Sequence, residues 1–147
     1  VPLYFAYGSN LDETQMLERC PGARRTSTAI LPAHRLNFVG HSRKWGGGVA
    51  TVVSDPAAYT LGILYEMPDH EFVVLDGYEG VLGGTYTRGI VTVRATDDTS
   101  TRAETYVHAK TTWRGPSDKY LDVIRAAYAR YGFDISLLEA AAADRLL

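Results

Sequence analysis

The amino-acid sequence predicts an α+β fold, in which a small, mostly antiparallel sheet or barrel is flanked by helices. Three observations carry this expectation. Short β-rich runs recur through the first two-thirds of the chain, parted by turns rich in Gly, Pro and Asp. The last third changes to helical spacing of its apolar residues. No repeat, low-complexity tract or linker interrupts the 147 residues, so 1–147 reads as a single domain.

The elements follow in order. The chain opens on a strand-like run, Val1–Tyr7, whose segment Leu3–Tyr7 is aromatic, apolar and ended by Gly8. After the turn Gly8-Ser9-Asn10-Leu11, Asp12 can cap a helix, with Gln15 at capping-box spacing, and Pro21-Gly22 stops that helix near Cys20. Strands are expected near Thr28–Leu31 and Arg35–Val39, followed by a loop over His41–Gly48. Two more, Val49–Val53 and Tyr59–Glu66, are parted by a turn at Asp55-Pro56. Pro68 suits the first turn of a helix continuing through Asp69–Leu75, which ends among Gly77, Gly80, Gly83 and Gly84. Thr85–Ala95 and Arg102–Lys110 form a hairpin around Asp97-Asp98. Over Ser117–Tyr131, a helix places Tyr120, Leu121, Ile124, Ala127 and Tyr128 on one face, and Gly132 stops it. Ser136 with Glu139 reads as a capping box opening a final alanine-rich helix.

Composition excludes several classes of function. A net charge of −2, with basic residues scattered apart from Arg24-Arg25 and Arg43-Lys44, disfavours nucleic acid and anionic membranes as partners. No apolar run approaches the roughly 20 residues of a membrane helix. One cysteine, Cys20, cannot form an internal disulfide, and no charged leader precedes the opening strand, which points to the cytoplasm. The four histidines, His34, His41, His70 and His108, show no metal-ligand spacing. No G-x-S-x-G elbow is present, and nothing near Cys20 would activate it as a nucleophile.

Two segments can carry chemistry. At Tyr7-Gly8-Ser9-Asn10-Leu11, a buried strand feeds a Gly-containing turn into a helix start, and successive backbone N–H groups there can bind an anion. Residue physics alone favours a plainer reading, a tight βα turn with Asn10 in the left-handed conformation. In Leu75-Asp76-Gly77-Tyr78-Glu79-Gly80-Val81, Glu79 lies between glycines and beside a tyrosine. A partly buried carboxylate there would have its pKa raised toward neutrality, as a general acid/base requires, whereas most glutamates in polar turns are simply solvated. Of the ten tyrosines, Tyr106 and Tyr120 are the candidate pocket hydroxyls.

Taken together, these segments resemble the γ-glutamylcyclotransferase family, in its main γ-glutamyl amino-acid branch. Tyr4-Phe5-Ala6-Tyr7-Gly8-Ser9-Asn10-Leu11 is similar to its first-strand motif, and Trp45-Gly46-Gly47-Gly48-Val49-Ala50-Thr51 to its W-x-G-G-x-A-T run. Leu75 to Val81, followed by Gly84-Thr85-Tyr86, resembles the segment holding the family's catalytic glutamate. Pro116-Ser117 with Tyr120 resembles a later P-S-x-x-Y motif. The four motifs stand in family order and span about four-fifths of the chain, and none is matched beyond Gly132. Asn10 sets the chain apart from the Y-G-S-L and Y-G-T-L openings of the glutathione-specific and γ-glutamylamine branches.

The resemblance implies a small, mostly antiparallel β-barrel flanked by helices, with the pocket at one barrel mouth and no metal or organic cofactor. It implies cyclisation of a small-molecule γ-glutamyl substrate to 5-oxoproline, with Glu79 as the acid/base and Tyr7, Gly8, Ser9, Asn10, Leu11 and Tyr120 as substrate-binding residues. A homodimer is expected only by this resemblance. The alternatives are a biosynthetic tailoring enzyme that removes a γ-glutamyl protecting group and a non-catalytic binding module on the same fold. The loops His41–Gly48 and Lys110–Asp118 are expected to shape the leaving-group side, where Arg43, Lys44 and Arg114 could meet an acidic group or remain solvated.

Overall fold

In the computed structural model, which describes residues 2–145, five strands close into a barrel. They are β1 (Leu3–Ala6), β2 (Arg24–Ser42), β3 (Gly47–Glu66), β4 (Tyr86–Ala95) and β5 (Ser100–His108), hydrogen-bonded in the order β1-β3-β2-β4-β5 with β5 returning to β1. Every pairing is antiparallel except β1 with β5, so the expected mostly antiparallel barrel is the observed one. A 3-10 turn (Ser9–Leu11) and four helices flank it: α1 (Glu13–Arg19), α2 (Asp69–Tyr78), α3 (Asp118–Tyr131) and α4 (Ile135–Ala142). Val1, part of the expected opening strand, lies outside the described residues.

Strand β1 reads as a continuous apolar run because it is covered on both faces: Tyr4, Phe5 and Ala6 are all buried between β3 and β5. The long hairpin is where the structure departs from the sequence expectation. The four short strands expected between Thr28 and Glu66 are two, of 19 and 20 residues. A straight 20-residue strand would reach about 65 Å, far beyond the width of a domain this size, so the hairpin must bend. It does so at three register shifts. At the largest, Pro32 pairs with Tyr59 and His34 with Ser54, so residues 55–58 bulge out opposite Ala33, which takes a positive φ of 57°. The Asp55-Pro56 turn is thus a bulge within β3, held by the Asp55 carboxylate accepting the Ala57 N–H.

The helices end as their residues dictate, with two corrections. Ser117 caps α3 by accepting the Tyr120 N–H, and Gly132 closes it at φ 69°. The five residues expected on its inner face are the five that are buried. The expected Asp12–Gln15 box does not form, because Gln15 is drawn to Ser9 and Asn10 instead. Nor does the Ser136–Glu139 box: Asp134 caps α4 by accepting from Ser136, while Glu139 pairs with Arg125 at 2.8 Å. A charged partner outcompetes a neutral cap for Glu139.

The segment from Trp113 to Ser117 crosses directly over the start of β3. Gly48 donates its N–H to the Gly115 carbonyl, Arg114 donates to the Phe38 carbonyl, and the Trp113 indole caps the last turn of α4 through the Ala141 carbonyl. A β-carbon on Gly48 would lie 2.0 Å from the Arg114 carbonyl oxygen and one on Gly47 2.8 Å from the Ser117 nitrogen, whereas Gly46 is set by its positive φ of 83°. Gly48→Ala is therefore expected to destabilise the fold by about 1–3 kcal/mol through overpacking against a backbone that has nowhere to go. Urea unfolding measures this, and an unchanged midpoint would show that the crossing is loose.

Candidate functional site

At one mouth of the barrel lies a cleft of about 260 Å³, and the two sequence segments singled out above meet there. From one side come Tyr4, Tyr7, Gly8, Ser9 and Asn10, and from the other Glu79 and Gly80 at the end of α2. Tyr106 and His108 of β5, Tyr86 of β4, Ala50 of β3 and Tyr120 of α3 complete the inner wall.

Glu79 is presented by a helix stop. Gly80 donates to the Gly77 carbonyl and Val81 to the Asp76 carbonyl, the paired bonds of a Schellman motif. That motif needs a left-handed residue after the helix, and Gly80 supplies it at φ 65°. Glu79 itself is the C-terminal cap of the helix at φ −85°, ψ −2°, still in the right-handed helical region, and its side chain lines the cleft. As a residue it is half-buried, but its carboxyl is surrounded by protein. Desolvation raises its pKa from the usual 4.5 to about 7, against the opposing pull of Arg19 and of a hydrogen bond from Asn10.

Asn10 is the hub of the site. Its amide nitrogen donates to the Tyr4 hydroxyl at 3.0 Å and to Glu79 Oε1 at 3.4 Å. Its side-chain oxygen accepts from Gln15 at 3.1 Å and from Arg19 at 3.2 Å, and its backbone carbonyl accepts from Tyr65 at 3.0 Å. Arginine can only donate, so the amide oxygen must face Arg19 and the NH₂ must face Glu79. The plain-turn expectation of a left-handed Asn10 is corrected: no positive φ occurs there, and residues 9–11 form a 3-10 turn. Leu11, expected with the binding turn, fills the core instead, fully buried and away from the cleft.

The tyrosines divide by what their protons do. Tyr86 donates to the Ala50 carbonyl, Tyr7 to the Tyr106 carbonyl, and Tyr106 to Asp76 at 2.6 Å. The Tyr120 hydroxyl instead accepts the Ala50 N–H at 2.9 Å and is approached by the Ser9 N–H. Tyr4 accepts from Asn10. Among the described residues neither Tyr4 nor Tyr120 has an acceptor for its own proton, so both can donate to a ligand. Burial raises the pKa of both and keeps them protonated. His108 accepts the Lys110 N–H at Nδ1, which puts its proton on Nε2, and burial lowers its pKa so that the ring stays neutral.

The outer rim comes from the β2–β3 turn: His41, Ser42, Lys44 and Trp45 border the cleft. The Lys110–Asp118 loop does not, because it is bound down on β3. Arg43 and Arg114 likewise lie off the cleft. Sequence reasoning missed Tyr4, Arg19, Tyr86 and His108. Arg19 had a signal: it follows Gln15 by four residues, so both share the face of α1 that meets Asn10. Cys20 is buried beside the Glu71 carbonyl, and its thiol is pushed up to about 12, which leaves it inert.

The raised carboxyl has a consequence for stability. Folded, Glu79 holds its proton to about pH 7, whereas in the unfolded chain it releases it near the usual 4.5. The folded state therefore binds more protons across that window, and stability falls as pH rises through it. Glu79→Gln removes the ionisation, so the variant is expected to melt higher than wild type at pH 8 and to converge with it below pH 4. Thermal unfolding at the two pH values checks this, and equal melting temperatures at pH 8 would contradict the buried carboxylate.

Comparisons with known proteins agree on a single lineage. The AIG2-like family matches residues 60–132. Gamma-glutamylcyclotransferase from Bos taurus is 33% identical over 126 residues, covering 83% of this chain and 67% of its own length. The Homo sapiens enzyme of the same name is 31% identical over the same coverage. A solved structure of a gamma-glutamyl cyclotransferase superposes with a TM-score of 0.88 at 28% identity, covering 95% of this chain and 85% of the other. With the barrel, the mouth cleft and the four ordered motifs already in place, these likenesses show that the chain belongs to the γ-glutamylcyclotransferase family of enzymes.

Proposed function

We propose that the chain cyclises a γ-glutamyl compound to 5-oxoproline and releases the free amine, with Glu79 as the proton carrier. One observation carries the reading: the Glu79 carboxyl lines the cleft, shut in protein and held by the Asn10 amide, and its desolvation raises the pKa toward neutrality, where it can both take and return a proton. A binding module for a small acid would gain nothing from such a group.

The steps follow from the donors available. The substrate's α-carboxylate docks at the start of the 3-10 turn, against the N–H groups of Gly8 and Asn10 and the free Tyr120 proton. Glu79 takes a proton from the substrate's α-ammonium, and the amine attacks the γ-carbonyl carbon of the same molecule. A C–N bond forms and the carbonyl becomes an oxyanion, within reach of a hydroxyl such as that of Tyr4. As the oxyanion collapses, the original amide C–N bond breaks and Glu79 returns its proton to the leaving nitrogen. The attacking nitrogen, cationic once bonded to the carbonyl carbon, gives up its second proton through Glu79 to the same amine, so the ring keeps a neutral lactam N–H and the amine departs as an ammonium. Because nucleophile and electrophile share one molecule, the cleft's chief contribution is to fold the substrate into attack geometry. Tyr7, whose proton is committed to the Tyr106 carbonyl, serves as wall rather than donor.

Glu79→Gln keeps the shape and still accepts from Asn10, but it cannot exchange protons at neutral pH. Turnover of γ-glutamyl amino acids, followed as 5-oxoproline by mass spectrometry, is expected to fall by roughly 100-fold or more. Substrate affinity should change little. Turnover near that of wild type would remove Glu79 from the role.

A further inference from the structure

We propose that Lys44, held over Trp45 at the rim of the cleft, determines leaving-group specificity by favouring departing amines that carry a carboxylate and rejecting those that carry a positive charge. The inference rests on the proposed cyclisation and deepens it. Trp45 turns its ring toward the cleft, 5.0 Å from the Tyr120 ring centroid. The Lys44 ammonium stands 5.0 Å from the Trp45 centroid and the Lys119 ammonium 5.5 Å from the same centroid. A lysine on a turn would ordinarily wander in solvent, and this contact gives it a place.

The charge around Lys44 is unbalanced. Among the described residues neither Lys44 nor Lys119 has an acidic partner within ion-pair distance. The pKa of Lys44 is lowered by burial and then by Arg19 and Lys119, with only Glu18 pulling the other way. Arg19 and Lys119 thus both oppose the charge on Lys44, and an anion beside Lys44 at the cleft rim relieves that repulsion. Arg19 is engaged with Asn10 deeper in the site, and the proposed α-carboxylate position is the 3-10 turn. Lys44 is left to face whatever departs, whereas Lys119, against the same Trp45 ring, does not border the cleft. Of the three loop cations that could meet an acidic group, Lys44 borders the cleft while Arg43 and Arg114 do not.

The test compares kcat/KM for four substrates: γ-glutamyl-glutamate, γ-glutamyl-alanine, γ-glutamyl-propylamine and the mono-γ-glutamyl amide of diaminobutane. Wild type is expected to rank them in that order, with ratios that shrink as salt is raised. Lys44→Gln should compress the ratio of the glutamate to the diaminobutane compound about 10-fold, and Lys44→Glu should invert it. Lys44 is exposed, so neither change threatens the fold. An identical ranking and identical ratios in all three proteins would overturn the assignment while leaving cyclisation intact. Failure of wild type to release 5-oxoproline from any of the four would overturn both.

Discussion

The site depends on the orientation of one side-chain amide. Asn10 joins three elements that are distant in sequence: the turn after β1, helix α1 through Gln15 and Arg19, and the end of α2 through Glu79. If its oxygen were free to turn, it would face the Glu79 carboxylate and repel it. Two donors prevent this, one of them a guanidinium that can accept nothing in exchange. Hydrogen bonds to charged groups contribute about 1.5–3 kcal/mol each, enough to hold one of two amide orientations almost completely. Ionised Glu79 thus meets an N–H, and the same contact keeps its pKa from rising further.

The barrel supplies what the amide cannot, a dry wall. Tyr4, Tyr7, Tyr86, Tyr106 and Tyr120 are buried around the cleft, with the Tyr4 and Tyr106 rings packed edge to face, and protein surrounds the Glu79 carboxyl. Burying a carboxylate this way opposes folding at neutral pH, and the rest of the molecule offsets it with a well-filled core that includes Phe5, Phe38, Phe72, Tyr65 and Tyr128. The trade is the familiar one between stability and a site poised for proton transfer. The outer rim differs in kind: it is polar, charged and built on a turn, where substitution can alter specificity without disturbing the barrel.

Local signals in the chain were read well and distant ones were not. The Glu79-Gly80 helix stop, the Gly132 terminus and the β4–β5 hairpin are each decided by neighbours in sequence, and each stands where the residues implied. Asp55-Pro56 looked like the end of a strand because the pairing that carries β3 past it lies on β2, residues away. Gln15 and Glu139 satisfied local capping patterns, yet partners from other segments won them. Leu11 could not be told from its pocket-lining neighbours, since which face of a three-residue turn is inward depends on the packing around it. Arg19 and Lys44 enter the site only because the barrel brings α1 and the β2–β3 turn to one mouth.

The proposed chemistry depends on the ionisation of Glu79, and an isotope-edited NMR titration of that carboxyl, assigned by comparison with a protein lacking it, measures this directly. A carboxyl enclosed in the cleft titrates with a midpoint at about pH 7. A midpoint at the usual 4.5 would mean that the carboxylate is solvated, that Asn10 does not hold it in a dry cleft, and that the proton carrier must be sought elsewhere.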